Sequence, residues 1–366
     1  MKFPRKIRVI ELASVLAGPS VGMFFAELGA EVIKVEAPTG DVTRSWKLKT
    51  ESAENDRPAY FCAVNWGKKA VIIDLNLSSG QQQLHALLQT ADVLLTSFKP
   101  GDAQRFQLSW SSLHTKYPKL IGGEISGYGS HDPRVGYDAI IQAEAGFMAL
   151  NGEPGNTFKM PVALVDVLAA HQLKEGLLLA LWQREIDGLG RRVEVSLVQS
   201  AIAALVNQGT NYLVGGIEPK PLGNEHPNIV PYGRPFITAD AVPLVLAVGT
   251  DQQFESLCKI LGITHDERYQ QNQSRVRYRE AVNTLLAEAF ARHNSSSLIE
   301  ALEKNKIPFG RINRMSEVAA LPAAKSLEIR ANGLRSWRTA VFTEGQNQLS
   351  PPPHLGEHQA LLNELK

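Results

Sequence analysis

Short apolar runs alternate with helical patterns in the first third of the chain, and this alternation constrains the fold most. Buried strands are predicted at residues 8–12, 31–36, 70–75, 92–97 and 120–126, with helices between most of them. Repeated β-α units of this kind imply a parallel sheet that helices cover on both faces. We therefore predict an α/β protein whose first part is a large Rossmann-like parallel-sheet domain.

The carboxyl ends of such strands are where ligands of parallel sheets bind. Four cations lie near these ends in the sequence: Arg44, Lys99, Arg105 and Arg134. Lys and Arg are the usual partners of phosphate groups, so an anionic ligand is predicted here. For each of the four, solvated surface charge is an equally good interpretation. Lys68 and Lys69 precede a strand and are predicted on the surface.

A single acidic residue, Asp166, stands in the apolar segment 160–170, where a long helical pattern begins. Leu173, Leu177 and Leu181 recur every four residues and predict one apolar helix face. Burial of a carboxylate among Val, Leu and Ala is energetically unfavourable, so a carboxylate at such a position is expected to have a structural or chemical role. Asp166 is either a cap that accepts hydrogen bonds from the first helical turn or a desolvated nucleophile. The local sequence favours the cap, because capping Asp residues far outnumber catalytic ones.

Composition excludes several classes of protein. The 366 residues exceed one average domain, so two domains are predicted. The net charge of +1 gives no overall field for nucleic acid or membrane. Cys62 and Cys258 are far apart and match no metal site, which favours a reducing compartment. Glu11 interrupts the apolar run near the basic N-terminus, so we expect no signal peptide, no membrane span and a cytoplasmic location.

A nicotinamide-dependent oxidoreductase is one alternative, because its cofactor domain also begins with a β-α-β unit. Glu36 ends the second strand, as an acidic residue does in those domains. The first turn, however, reads S-V-L-A-G-P-S-V-G and lacks the G-x-G-x-x-G fingerprint. This alternative is therefore disfavoured, and failure to bind NAD would remove it.

Ordered motifs extend through the first half of the chain. They are Leu16-Ala17-Gly18-Pro19, residues 27–36, Gly40-Asp41, Thr43-Arg44, Asn65, Lys68, Asp74-Leu75, Ala91-Asp92-Val93, Gly127-Tyr128-Gly129, Gly136-Tyr137-Asp138, Gln142-Ala143, Gly146, Asp166, Gly188, Gly190 and the strand 193–197. Together they resemble the family III CoA-transferases, the group of formyl-CoA transferase and carnitine-CoA-transferase, to which α-methylacyl-CoA racemase is related.

The resemblance implies a CoA-transferase that moves CoA from an acyl-CoA thioester to a free carboxylic acid. It casts Asp166 as a nucleophile that forms a covalent aspartyl intermediate. It implies no permanently bound cofactor, because the coenzyme A thioester is itself a substrate, and no metal. The partners that it implies are acyl-CoA, a carboxylic acid and a second copy of the chain in an interlocked homodimer.

The resemblance also assigns positions around the substrate. It places Val15, Leu75, Phe98 and Arg105 at positions that contact CoA, and Lys99 and Arg134, which lie near strand ends, complete the predicted CoA contacts. The residues predicted to line the site are Leu16, Tyr137, Asp138 and Gly223. Two positions depart from formyl-CoA transferase: Ala37 replaces an arginine, and Leu16 replaces a glutamine. Oxalate-specific chemistry is therefore not expected.

Two further alternatives stay open. The racemase branch needs a His-Asp pair for proton transfer, and this chain has Tyr137 in place of the histidine, so transfer is favoured. A member that binds acyl-CoA without turnover is also possible. A mass-balance assay with two acids would separate it from an enzyme.

The chain after Ser200 predicts a second, smaller α+β domain. The predicted organisation is a large domain at 1–205, a linker at 206–225, the small domain at 226–320 and a return segment at 321–366 that completes the large domain. The loop LGNEHPNIVPY and the ending SPPPHLG are closest to family members that use dicarboxylic acids with succinyl-CoA as donor.

Overall fold

The protein is described here from a computed structural model that covers residues 2–99, 101–264, 266–342 and 348–364. The chain forms two compact units. The first consists of Met1–Ala145, Met160–Ile217 and Pro322–Lys366, and the second of Gly146–Lys159 and Glu218–Leu321. The sequence prediction placed residues 146–159 in the large domain, whereas the structure places them in the second unit.

The strands, in chain order, are β1 Arg8–Glu11, β2 Glu31–Glu36, β3 Lys68–Ile72, β4 Val93–Thr96, β5 Ile121–Ser126, β6 Gly152–Glu153, β7 Asn156–Thr157, β8 Arg192–Ser196, β9 Tyr232–Ile237, β10 Pro243–Ala247, β11 Phe309–Arg311, β12 Glu328–Ala331 and β13 Leu334–Trp337.

The α-helices are α1 Ala17–Glu27, α2 Ala59–Cys62, α3 Ser78–Leu88, α4 Asp102–Arg105, α5 Trp110–Lys116, α6 Asp138–Glu144, α7 Phe147–Leu150, α8 Leu164–Asp187, α9 Leu197–Ala204, α10 Val206–Gly215, α11 Asp251–Leu261, α12 Asn272–Arg277, α13 Arg279–Phe290, α14 Ser295–Lys304, α15 Met315–Ala320 and α16 Pro322–Leu327. Short 3-10 turns occupy Val42–Ser45, Glu267–Tyr269 and Gln359–Glu364.

The first unit is built on a six-stranded sheet with the order β3-β2-β1-β4-β5-β8. Every neighbouring pair in it is parallel, which confirms the predicted Rossmann-like sheet. β1 lies inside the sheet, and the strands that follow it are added first on one side and then on the other. Such a reversal leaves a crevice at the carboxyl ends of β1 and β4, where ligands of this fold bind.

Helix α8 packs closely on the sheet at two glycines. A Cβ on Gly176 would lie 2.5 Å from Cγ1 of Val193 on β8, and one on Gly123 would lie 3.2 Å from both methyl groups of Leu177 on α8. Leu173 and Leu177 are fully buried on this face, as their spacing predicts. The long helix is therefore fixed on the sheet, and its first turn lies near the ligand-binding edge.

The return segment completes the first unit. Gln359 exchanges two hydrogen bonds with the backbone of Ile72 on the edge strand β3, at 2.8 and 2.9 Å. β12 and β13 form an antiparallel hairpin, with Ile329 buried against Trp66 in a small apolar cluster. An edge strand that is paired in this way offers fewer free backbone groups to other chains.

The second unit contains the antiparallel sheet β11-β10-β9. β9 and β10 form an antiparallel hairpin, and its turn passes through Ala241 at φ +61°. Helices α11, α13 and α14 contribute buried side chains to the core beside this sheet. Among the described residues, no helix is both long and apolar enough to cross a membrane. The cytoplasmic location stays a prediction.

Candidate active site

A cavity of about 450 Å³ opens at the carboxyl ends of β1, β4 and β5 in the first unit. Seven of the residues predicted for the site line it: Val15, Leu16, Phe98, Lys99, Arg134, Tyr137 and Asp166. These residues come from four separate segments of the sequence, at 15–16, 98–99, 134–137 and 166, and the fold of the first unit brings them together. The volume falls within the range of cavities that hold small ligands.

Two predicted CoA contacts lie beside the cavity rather than in its lining. Leu75 packs half-buried against the same apolar cluster as Phe98. Arg105 is exposed, donates a hydrogen bond to Asn76 and lies over the ring of Phe106, with 5.1 Å from its guanidinium carbon to the ring centre. Phe106 in turn contacts Phe98 at 5.8 Å between ring centres. The predicted contacts thus form a continuous patch that reaches the cavity through Phe98.

Two of the lining cations carry exposed side chains. Arg134 pairs with Asp132 at 2.8 Å and with Glu144 at 3.2 Å, and it lies over the ring of Tyr128. Lys99 has no ion pair among the described residues. Gly223 belongs to the second unit, at φ +60°, and lies outside the lining of this cavity.

Asp166 is the third residue of α8 and is 8% exposed. Helix α8 begins after Ala163, and no side chain at that position caps it. The structure gives the Asp166 carboxylate no hydrogen bond and no ion pair with any described residue. The helix-cap interpretation that the local sequence favours is therefore wrong. A buried carboxylate without partners is energetically costly, and such groups concentrate at functional sites.

The capping role falls to Asp138 instead. Its carboxylate accepts a 2.9 Å hydrogen bond from the backbone N–H of Val165 and a 2.7 Å bond from the side chain of Gln142. Gln142 is fully buried, and its side-chain oxygen accepts from the N–H of Met160 at 2.8 Å. Asp138 and Gln142 therefore fix the segment that leads into Asp166. The sequence could not show this, because Asp138 lies 28 positions away.

Burial raises the pKa of Asp166 to about 7, and the negative charge of Asp138 adds to the shift. Tyr60 is a neighbour of these carboxylates that sequence reasoning missed. Burial raises the pKa of the Tyr60 phenol, and the charges of Asp166, Asp138 and Asp41 raise it further. The site therefore concentrates negative charge where little water can screen it.

Lys68 corrects a second prediction, because it is only 1% exposed rather than on the surface. Its ammonium group donates to both carboxylate oxygens of Glu11, at 2.9 and 2.8 Å. Glu11 is fully buried at the end of β1. A carboxylate inside a buried strand needs a cationic partner. That requirement of Glu11 is the sequence signal that could have indicated a buried lysine. The position of Lys68 before a predicted strand does not indicate whether its side chain is buried.

Comparison with known proteins supports one assignment. The sequence profile of CoA-transferase family III matches residues 5–359. The chain belongs to CoA-transferase family III. A succinate–glutarate CoA-transferase from Agrobacterium fabrum is 39% identical over 97% of this chain and 93% of its own. A succinyl-CoA:glutarate CoA-transferase from Mus musculus is 32% identical over 98% of this chain and 85% of its own.

Solved structures agree with the sequence comparison. A CAIB/BAIF family protein from Brucella suis has a TM-score of 0.86 and 35% identity over the full length of both chains. The protein from Mycobacterium tuberculosis called Rv3272 has a TM-score of 0.84 and 28% identity over 99% of both chains. The whole fold of this CoA-transferase, and not only its sheet, is therefore that of the family.

In this CoA-transferase the loop after β5 folds back on itself beside the cavity. A Cβ on Gly127 would lie 2.6 Å from the backbone of Gly136, so neither position has room for a side chain. The close approach shapes the wall between Gly127 and Tyr137. No group of three or more His, Cys, Asp and Glu side chains that could hold a metal ion occurs in the described residues.

The raised pKa of Asp166 predicts a pH-dependent cost in stability. Because the pKa in the folded state lies above the ordinary value of 3.8, ionisation of Asp166 disfavours folding as the pH rises from about 4 to about 7. Asp166→Asn should therefore unfold with a higher free energy than the wild type at pH 8, by up to the order of 4 kcal/mol. At pH 4 the gain should nearly vanish. Urea denaturation at both pH values measures the difference.

Glu175→Gln is the matched control, since it removes an exposed carboxylate from the same helix. The assigned burial cost would be contradicted if Asp166→Asn raised the free energy of unfolding equally at both pH values. An equal rise from Glu175→Gln would contradict it as well.

Proposed function

We propose that this CoA-transferase moves CoA from succinyl-CoA to a dicarboxylic acid of the size of glutarate, through a covalent intermediate on Asp166. The observation that carries the proposal is a buried carboxylate in the lining of the cavity, to which none of the residues that the structure describes gives a hydrogen bond or an ion pair. The names of the Agrobacterium and mouse relatives support the choice of acids. The loop at residues 222–232 and the ending SPPPHLG were the sequence features that suggested the same class.

The proposed chemistry balances without ATP. The Asp166 carboxylate attacks the thioester carbonyl of the donor, and the carbon–sulfur bond breaks to give a mixed anhydride and CoA thiolate. The thiolate attacks the Asp166 carbonyl, which releases the donor acid and leaves an aspartyl-CoA thioester. The acceptor carboxylate then attacks that thioester and frees the thiolate again. Attack of the thiolate on the acceptor carbonyl gives the new acyl-CoA and restores Asp166.

The surroundings of Asp166 suit each step. Desolvation leaves the ionised carboxylate more nucleophilic than it is in water. The raised pKa of about 7 lowers the ionised fraction but still leaves a substantial part of Asp166 ionised near neutral pH. Burial also limits the access of water, which would hydrolyse an anhydride. The fixed Asp138 and Gln142 hold the backbone before Asp166 in one position. Preorganisation of this kind lowers the cost of reaching the transition state.

The CoA moiety is proposed to extend from the cavity onto the adjoining patch. Lys99 and Arg134 at the cavity, with Arg105 on the patch, supply positive charge for its phosphate groups. Phe98 and Leu75 supply apolar surface for the base. Racemisation is less well supported, because Tyr137 lines the cavity where a histidine proton carrier would be needed.

Incubation of the purified protein with succinyl-CoA and a panel of carboxylic acids should produce new acyl-CoA thioesters, read by mass spectrometry. We expect glutarate and neighbouring dicarboxylates to be used in preference to oxalate and to monocarboxylates. The total of CoA thioesters should stay constant, because CoA is transferred rather than hydrolysed. Binding of succinyl-CoA with no new thioester for any acid would support a non-catalytic protein instead.

Asp166→Asn and Asp166→Ala should abolish transfer, since neither side chain can form the anhydride. In the wild type, hydroxylamine added during turnover with succinyl-CoA should convert Asp166 to a hydroxamate, located by peptide mass spectrometry. Glu175→Gln should retain transfer, because Glu175 lies exposed on the same helix and outside the cavity lining. Turnover that proceeds while Asp166 stays unlabelled would exclude the covalent role.

We also propose that the protein is a homodimer, as the resemblance to the family implies. Apolar side chains on the outer faces of α8 and α10 support this. Trp182 is 64% and Ile186 71% exposed on α8, and Leu213 and Val214 are 81% and 83% exposed on α10. Large apolar side chains exposed to this degree on two helices favour a surface that another chain covers.

Leu213→Asp combined with Val214→Asp should convert the dimer to a monomer or an aggregate, because two charges would be buried without partners. Light scattering coupled to gel filtration measures the mass. Val42→Asp and Leu48→Asp together form the control, since they change exposed apolar residues elsewhere in the first unit. A wild-type mass of one chain at working concentration would exclude the dimer.

A further inference from the structure

The turn between β1 and α1, residues 12–16, is held in a strained conformation. Val15 lies at φ +71°, in the left-handed region that a β-branched side chain seldom adopts. Val15, Leu16, Ala17 and Gly18 all line the cavity that contains Asp166. Strain of this kind persists only where the surroundings impose it, and it is concentrated at functional sites.

One buried ion pair holds both sides of this turn. The ammonium group of Lys34 lies 2.9 Å from the carboxylate of Asp41. Lys34 also donates to the carbonyl of Ala13 at 2.9 Å, and Asp41 accepts from the N–H of Val15 at 3.3 Å. Ser14 lies between Ala13 and Val15 in the turn. Its N–H donates to the hydroxyl of Ser97, just after β4, at 3.1 Å.

A second pair extends the same network to the first turn of α1. Glu11 lies 3.1 Å from Lys34 and 2.8 Å from Lys68. Lys68 in turn donates to the carbonyl of Pro19 at 2.8 Å. The four side chains comprise two positive and two negative charges, and each residue is at most 6% exposed. The network therefore leaves no net charge without a partner.

Stability alone does not account for such a network. Well-packed apolar side chains often replace buried ion pairs with no loss of stability. Apolar side chains cannot, however, bind the backbone at residues 13, 15 and 19, as this network does. Its contacts with the backbone are concentrated on the turn that faces the cavity. The arrangement is therefore suited to fixing the shape of the turn.

We propose that Lys34 and Asp41 are positioning residues for CoA transfer, which hold Val15 and the start of α1 in the conformation that receives the CoA thioester. This inference rests on the proposed use of the cavity for CoA. Neither side chain lines the cavity, so both act through the backbone of the turn. Their loss should weaken CoA binding and transfer while the sheet remains folded.

The test is the double variant Lys34→Met/Asp41→Leu, which removes both charges together and leaves the pairs of Glu11 with Lys68 and of Glu36 with Arg44 intact. The matched control is Arg184→Met/Asp92→Leu. That pair is also largely buried, at 2.9 Å, and it also binds backbone groups, but it lies at the amino end of the sheet and outside the cavity lining.

The measurements are the Kd of CoA by calorimetry, the KM values of succinyl-CoA and of the acceptor acid, kcat, and the thermal midpoint. We expect the Kd and KM of the CoA species to rise by about tenfold to a hundredfold in the double variant, because misplacement by about 1 Å has effects of this size. The control should have a thermal midpoint similar to that of the double variant. Its CoA affinity should stay within about twofold of the wild type.

Asp41→Asn keeps one acceptor oxygen, but it loses the charge and puts a donor NH2 in place of the second oxygen. As the milder change it decides the question if the double variant does not fold. It should show a smaller change in the same direction. Folded variants that bind CoA as the wild type does would overturn this inference alone. A wild type that neither binds CoA nor transfers it would overturn the proposed function and this inference with it.

Discussion

The constraint on which the site depends is the burial of one carboxylate, Asp166, that has no hydrogen bond or ion pair with any described residue. Asp166 stands in the first turn of α8, where an acidic side chain would ordinarily accept hydrogen bonds from free N–H groups. Asp138 accepts the bond from Val165 in its place. The carboxylate of Asp166 is thereby left with no hydrogen bond from any described residue. A functional group that breaks a local rule is expected where the rest of the structure supplies the compensation.

The compensation comes from the packing of α8. Gly176 and Gly123 let the helix approach the sheet closely, and buried leucines fill the contact. A core packed to this density does not shift to relieve one unfavourable group. The start of α8 is held independently by Gln142, which binds Met160 and Asp138. The packing therefore holds Asp166 in a buried position where its carboxylate is less solvated than it would be in water.

Charged side chains of the first unit occur in two environments, one buried in the protein and one exposed at the cavity. Near the centre of the sheet, Glu11, Lys34, Asp41 and Lys68 neutralise one another and bind the backbone of the β1–α1 turn. At the cavity, Lys99 and Arg134 are exposed, and Arg134 pairs with Asp132 and Glu144. The buried set is suited to holding the fold around the ligand, and the exposed set to meeting an anion. Identical residue types thus serve different purposes according to their burial.

The sequence by itself determined the parallel sheet, the buried stripe of Leu173 and Leu177, and the family, because periodicity and motif order are properties of neighbouring residues. It also brought Asp166 to attention, since a lone carboxylate in an apolar segment is visible without coordinates. Only the tertiary structure decided that Asp166 is not a cap, that Lys68 is buried and that residues 146–159 join the second unit. The reason is that each of these depends on a partner distant in the sequence: Asp138 for the helix end, and Glu11 for the lysine. Solvation and pairing are decided by what the fold brings close, and local patterns do not contain that information.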